Sequence, residues 1–158
     1  TNRIDKSTIE LSVEPGSYSS SGFSNDNKYF FFITDVGEEF SYLVKYEIET
    51  GKEEVLFQTN WDVMYSYLSE NEKYRVTAIN EDGKNTLLIR DIINNSDVYF
   101  PKIPDGDIKG ASFSESENKI RLTIGTSKSP NNIYVYDLNS KELKKLTETL
   151  NPEINADD

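Results

Sequence analysis

The chain has 158 residues, is 35% hydrophobic and 12% aromatic, and carries 28 Asp and Glu against 17 Lys and Arg, a net charge of −11. A field of that sign repels a phosphate backbone, which disfavours nucleic-acid binding, and it reads as a solvated surface that keeps a strand-rich protein from aggregating. With no Cys, disulfides, thiolate metal sites and Cys nucleophiles are excluded; with no His, the usual general base of a Ser-His-Asp site and the commonest neutral metal ligand go too.

Tyr, Phe, Ile and Val are plentiful while Ala is scarce, which favours strands over helices. No apolar run approaches the roughly 18 residues of a membrane span, and Thr1-Asn2-Arg3 carries no signal-peptide pattern, so no membrane partner is expected. The absence of Cys is compatible with cytoplasm and periplasm alike.

Residues 1–14 hold Asp5-Lys6-Ser7-Thr8 followed by Ile9 and Leu11, the same turn-then-strand order as Leu138-Asn139-Ser140-Lys141 followed by Leu143. They read as the last strand of an earlier unit. Residues 18–58 then contain Phe23-Ser24-Asn25-Asp26-Asn27-Lys28-Tyr29, a continuous apolar run Tyr29 to Ile33, and Lys45-Tyr46-Glu47-Ile48. An apolar run without alternation fits a strand buried on both faces. Residues 62–100 repeat the order with Leu68-Ser69-Glu70-Asn71-Glu72-Lys73-Tyr74 and Ile89-Arg90-Asp91-Ile92, and residues 107–147 with Phe113-Ser114-Glu115-Ser116-Glu117-Asn118-Lys119-Ile120 and Val135-Tyr136-Asp137-Leu138. Residues 148–158 show no strand pattern and read as an exit linker toward a further domain.

Two anchors keep one period. Ser24, Ser69 and Ser114 are 45 and 45 apart, and the acids Glu47, Asp91 and Asp137 are 44 and 46 apart. Each unit reads as four short strands divided by Gly, Asn, Asp and Ser clusters. In the third unit these strands fall near 108–114, 119–125, 132–138 and 142–147, the second alternating Ile120, Leu122 and Ile124 with Arg121 and Thr123. Turns such as Asn25-Asp26-Asn27, Thr50-Gly51-Lys52 and Glu81-Asp82-Gly83-Lys84-Asn85 use residues that tolerate left-handed backbone angles. The expected fold is all-β: a partial β-propeller of three four-stranded antiparallel blades over residues 1–147, with the outer strand of a preceding blade at its start. Such an arc leaves blade faces uncovered, so self-association or marginal stability is expected.

WD-type and kelch signatures are absent from the repeat positions; Trp61-Asp62 occurs once, between units. The pattern F-S-x-D-x-K entering an apolar strand, then Y-D-L and a turn, resembles the propeller repeats of TolB-like proteins and of the prolyl oligopeptidase family of serine peptidases. The tail Leu146-Thr147-Glu148-Thr149-Leu150-Asn151-Pro152-Glu153-Ile154 resembles the stretch where acylaminoacyl-peptidase-like members pass from the last blade into the catalytic α/β-hydrolase domain. The resemblance implies a non-catalytic segment that gates peptide access to a hydrolase domain of the same parent chain. The alternative is a TolB-like binding module for protein–protein contact.

No catalytic residue carries over. Gly110-Ala111-Ser112-Phe113-Ser114 lacks the last Gly of a nucleophile elbow and lies in an expected strand. Glu38-Glu39 resembles the paired glutamates with which dipeptidyl-peptidase relatives hold a substrate amine, which makes Glu38 and Glu39 the candidate substrate contacts. The Asp-rich turns lack the full calcium-loop pattern, so neither metal nor cofactor is expected. Asn94-Asn95-Ser96 forms a sequon that reads as a surface turn. Tyr42, Tyr46, Trp61, Tyr65, Tyr67, Tyr134 and Tyr136 read as packing residues within and between blades rather than a ligand face.

Overall fold

The computed structural model describes residues 14–100, 106–125 and 130–149. They form three four-stranded antiparallel sheets, each built from consecutive strands. Blade 1 comprises β1 (Tyr18–Phe23), β2 (Tyr29–Thr34), β3 (Tyr42–Glu47) and β4 (Glu53–Phe57); blade 2 comprises β5 (Asp62–Leu68), β6 (Tyr74–Glu81), β7 (Lys84–Asp91) and β8 (Ser96–Asp97); blade 3 comprises β9 (Asp107–Phe113), β10 (Lys119–Gly125), β11 (Asn132–Asp137) and β12 (Glu142–Lys145). This is the all-β propeller arc expected from the repeat. The preceding-blade strand expected at 1–14 lies outside the described residues except for Glu14, and the linker expected at 148–158 lies outside them except for Glu148 and Thr149.

The period follows from one turn built three times. Between the first and second strands of each blade, a serine and the residue five positions on exchange two backbone-directed bonds. The serine amide donates to the carbonyl of Tyr29, Tyr74 or Lys119 at 2.9–3.0 Å. The serine hydroxyl accepts from the amide of the same residue: Tyr29 to Ser24 at 3.0 Å, Tyr74 to Ser69 at 2.9 Å and Lys119 to Ser114 at 3.2 Å. A hydroxyl suits the position because it accepts where a continued ladder would place a carbonyl.

That geometry also corrects the alignment of the third unit. Matching the Lys-Tyr and Lys-Ile ends of the three segments equates Tyr29, Tyr74 and Ile120. The strand register instead equates Tyr29, Tyr74 and Lys119, which lie opposite Glu47, Asp91 and Asp137. The turn has a fixed length from its serine, so the extra residue in the third segment shifts its lysine into the strand.

The acids of the second anchor close the turns between third and fourth strands. Asp91 accepts the amide of Asn94 at 2.9 Å, and Asp137 accepts those of Asn139 and Ser140 at 2.9 and 3.1 Å. The side chain of Lys119 bonds Asp137 as well, and these contacts hold its carboxyl down at about 2. Four residues after each acid the backbone turns left-handed, at Gly51, Asn95 and Lys141.

Alternating strands place one face of each blade against the next. Val76, Ala78 and Ile89 of blade 2 and Ile120, Leu122, Ile124 and Tyr136 of blade 3 form one continuous core. A smaller one joins Ile33 and Leu43 of blade 1 to Val63 and Ile79 of blade 2. In β2 the consecutive residues Phe32, Ile33 and Thr34 are all buried, as expected for a strand covered on both sides. On the face of blade 1 turned away from blade 2, Tyr18, Phe23, Phe30 and Phe32 are in ring contact, Phe32 buried and Phe23 60% exposed.

Ser69 is buried and its hydroxyl is the acceptor for the Tyr74 amide. Ser69→Ala is therefore expected to cost about 1–3 kcal/mol, the penalty for orphaning a buried donor. Ser116→Ala, at an exposed turn position, should stay within about 0.5 kcal/mol. Urea denaturation of the two variants checks the difference.

Candidate functional site

The loop from β2 to β3 and the connector from β4 to β5 meet at one end of the blade 1–blade 2 seam. In the loop, the Glu38 amide donates to the Asp35 carbonyl at 3.0 Å, Gly37 takes a left-handed φ of 76°, and the Tyr42 hydroxyl donates to the Val36 carbonyl at 3.0 Å. The connector is a threonine turn in which Thr59 Oγ1 accepts the Trp61 amide at 3.1 Å. Asp62 then ties loop to connector, since its carboxylate accepts the Ser41 amide at 3.0 Å. The Val63 amide donates to the Ser41 carbonyl at 3.1 Å.

This scaffold presents Glu38 and Glu39 side by side, both exposed, on an open cleft of about 410 Å³ with Phe40, Gln58, Thr59 and Asn60. A second cleft of about 310 Å³ at the same end is bordered by Asp35, Asp62 and Tyr18. Four carboxylates thus gather around one end of the seam, which suits a cationic group such as an amine. In solvent each such contact is worth no more than about 1 kcal/mol, so the arrangement can orient a ligand but not hold it alone.

Among the described residues the candidate serines are not placed for acid–base or nucleophilic chemistry. Ser112 lies inside β9 opposite Arg121, away from any strand-to-helix turn, and the serine anchors spend their hydroxyls on turn amides. The sequon residue Asn94 sits in the β7–β8 turn with its amide side chain on Asp91.

Tyr65, Tyr67 and Tyr136 are engaged in packing. Tyr67 donates its hydroxyl to the Ala111 carbonyl of blade 3 at 2.7 Å, and Tyr136 donates to the Tyr99 carbonyl at 2.9 Å. Tyr65 and Tyr67 stack with ring centroids 6.3 Å apart. Burial, with a smaller contribution from Tyr65, pushes the Tyr67 phenol up to about 12.

Sequence reasoning missed the acids that join blades. Glu72 and Glu117 occupy the left-handed position of their turns, with φ of 57° and 53°, where Asn27 stands in blade 1. From there the Glu117 carboxylate accepts the Asn71 amide of blade 2 at 2.7 Å, and that of Glu72 accepts the Asn25 amide of blade 1. The Asn25 side chain adds a bond to the Glu70 carbonyl at 2.7 Å. Their spacing of 45 was visible; their reach was not, because it depends on how far apart the blades stand.

The fold and its seams define the chain as a β-propeller segment. No family model matches it, and no curated protein does. Among solved structures it is similar to prolyl oligopeptidase B from Galerina marginata bound to a 35mer hydrolysis and macrocyclization substrate, with a TM-score of 0.70 over 95% of this chain, 14% identity and 22% of that chain covered. It is also similar to a putative TolB from Agrobacterium tumefaciens, with a TM-score of 0.61 over 85% of this chain, 12% identity and 50% of that chain covered. TolB from Acinetobacter baumannii gives 0.56 over 80% of this chain, at 20% identity and 31% of that chain. The chain spans half or less of each of these proteins, and the likeness is one of fold.

Between about pH 10, where an unfolded tyrosine ionises, and about pH 12, the native Tyr67 keeps a proton that the unfolded chain has lost. Stability is therefore expected to fall as pH rises through that window, and to fall less steeply in Tyr67→Phe. Urea midpoints measured across the window test this.

Proposed function

We propose that this chain is a non-catalytic propeller segment that gates peptide access to the α/β-hydrolase domain of a serine peptidase. The observation that carries the reading is the extent of the likeness to prolyl oligopeptidase B, which takes in 95% of the chain at a TM-score of 0.70, against 80–85% and 0.56–0.61 for the TolB structures. In this reading the clustered acids at the Glu38–Glu39 end face the incoming peptide and hold its amine, while the bond-breaking serine and its base come from the parent's hydrolase domain. A peptide enters past rigid blades, so its width sets whether it enters, and the acids add a preference for a free amino terminus.

The TolB likeness supports a second reading, a binding module whose axial surface contacts another protein. The two differ in what the parent gene encodes. In the first, the native product is much larger than 18.1 kDa and a fluorophosphonate probe labels a serine beyond residue 158. An unreactive native product sinks the peptidase reading and leaves the binding module. In the labelled parent, Glu38→Gln combined with Glu39→Gln is expected to raise KM for peptides with a free amino terminus about fivefold, the equivalent of about 1 kcal/mol, with kcat little changed. Peptides with an acetylated terminus should show no such rise.

A further inference from the structure

Blade 2 departs from its neighbours at one cross-strand pair. By strand register, the second residue of the second strand is Phe30 in blade 1, Arg75 in blade 2 and Ile120 in blade 3, and their partners on the third strand are Tyr46, Arg90 and Tyr136. In blade 3 that pair is sealed against blade 2, at 0% and 1% exposure. The same side of blade 2 faces blade 1, and there the pair is two arginines. The chain has four arginines in all and an excess of eleven negative charges, yet two of the four stand directly opposite each other. Like charges so placed repel.

Their surroundings differ. Arg90 is paired: Nη1 donates to Asp97 at 2.7 Å, and Nη2 donates to the Asn95 carbonyl and side-chain oxygen at 3.0 and 2.8 Å. Arg75 is half-buried, and its guanidinium makes no hydrogen bond or ion pair with any described residue. Glu54, the acid whose field reaches it, is already bonded to Lys45 at 2.5 Å. Burial, and then Arg90, lower the Arg75 pKa. None of its nitrogens is sealed from solvent without a partner, so its donors open into the seam. There Arg75 lines an open cleft of about 510 Å³ with Phe57 of blade 1 and Ile92 of its own blade, Ile92 being 42% exposed; Glu54 and Asp97 also border it, their carboxylates already paired with Lys45 and Arg90.

We propose that the seam between β4 of blade 1 and β6 of blade 2 binds the C-terminal carboxylate of a peptide ending in an aliphatic residue, with Arg75 receiving the carboxylate and Phe57 and Ile92 receiving the side chain. A planar guanidinium with free donors matches a carboxylate bidentately. A terminal carboxylate sits on the carbon that bears the side chain, so charge and apolar group arrive together, as the cleft presents them. Bound, the carboxylate relieves the Arg75–Arg90 repulsion; unbound, the pair strains the seam. The site lies on β4, β6 and the turn after β7 and shares no lining residue with the Glu38–Glu39 cleft, so the proposal stands or falls independently of the peptidase reading.

The test uses the 158-residue chain with N-acetyl-leucine, N-acetyl-leucinamide and acetate as probes, followed by calorimetry and by the side-chain Nε–H resonance of Arg75. N-acetyl-leucine is expected to bind about tenfold more tightly than either comparator and to shift that resonance. Arg75→Gln should lose the tenfold preference over the amide, and Ile92→Ser should weaken N-acetyl-leucine while leaving acetate unchanged. Arg75→Ile, which restores the apolar residue of blade 3, should raise the melting temperature of the ligand-free chain while abolishing binding. Equal binding of the amide, equal binding of acetate, full binding by Arg75→Gln, or a lower melting temperature in Arg75→Ile would each overturn the proposal.

Discussion

Face-to-face burial between adjacent blades is the constraint from which the rest of the arc follows. A four-stranded sheet that is apolar on both sides has no stable existence alone, and each fully covered aliphatic side chain contributes roughly 1.5–3 kcal/mol. Val76, Ile120 and Leu122 are fully covered because blades 2 and 3 cover each other. The strand registers and the serine turns keep successive sheets in step for this contact. Tyr67 and the turn acids then tie one sheet to the next with bonds that run between blades rather than within them.

The two seams are not alike. Between blades 2 and 3 the contact is a continuous apolar core. Between blades 1 and 2 the apolar contact shrinks to Ile33, Leu43, Val63 and Ile79, and clefts open toward both ends. A polar, partly open seam is a poorer contributor to stability and a better place for recognition, which is why the candidate residues cluster there. Acids crowd one end of it, and an unpaired guanidinium lies toward the other.

The strands, the blade count and the turn anchors were legible in the residues because each is a local signal. Alternation in Ile120 to Ile124 and the serine spacing of 45 require only the pleat and a turn of fixed length. What escaped reading needed distances between blades. Glu72 and Glu117 look like solvated turn acids until the neighbouring turn is placed within reach. Arg75 was hidden by the one-residue slip in the third segment: aligned on the lysines it matches Arg121, which faces solvent, whereas by register it matches the buried Ile120. The pair Glu38–Glu39 was found from sequence by resemblance, and its position at an exposed loop supplies geometry without supplying a ligand.

The carboxylate joins between turns run one way. Glu117 hooks back onto blade 2, and Glu72 hooks back onto blade 1, each accepting the backbone amide of an asparagine there, Asn71 and Asn25. Blade 2 therefore carries both a hook, Glu72, and an eye, Asn71, a head-to-tail contact of the kind that propagates until rotation closes it, while blade 1 has Asn27 at the hook position. A gene duplication that copies one whole period copies both halves of the fastening, so blades can be gained or lost without remaking the joint. The size of the ring is then left to the angle between sheets, and the turn sequence is free of it.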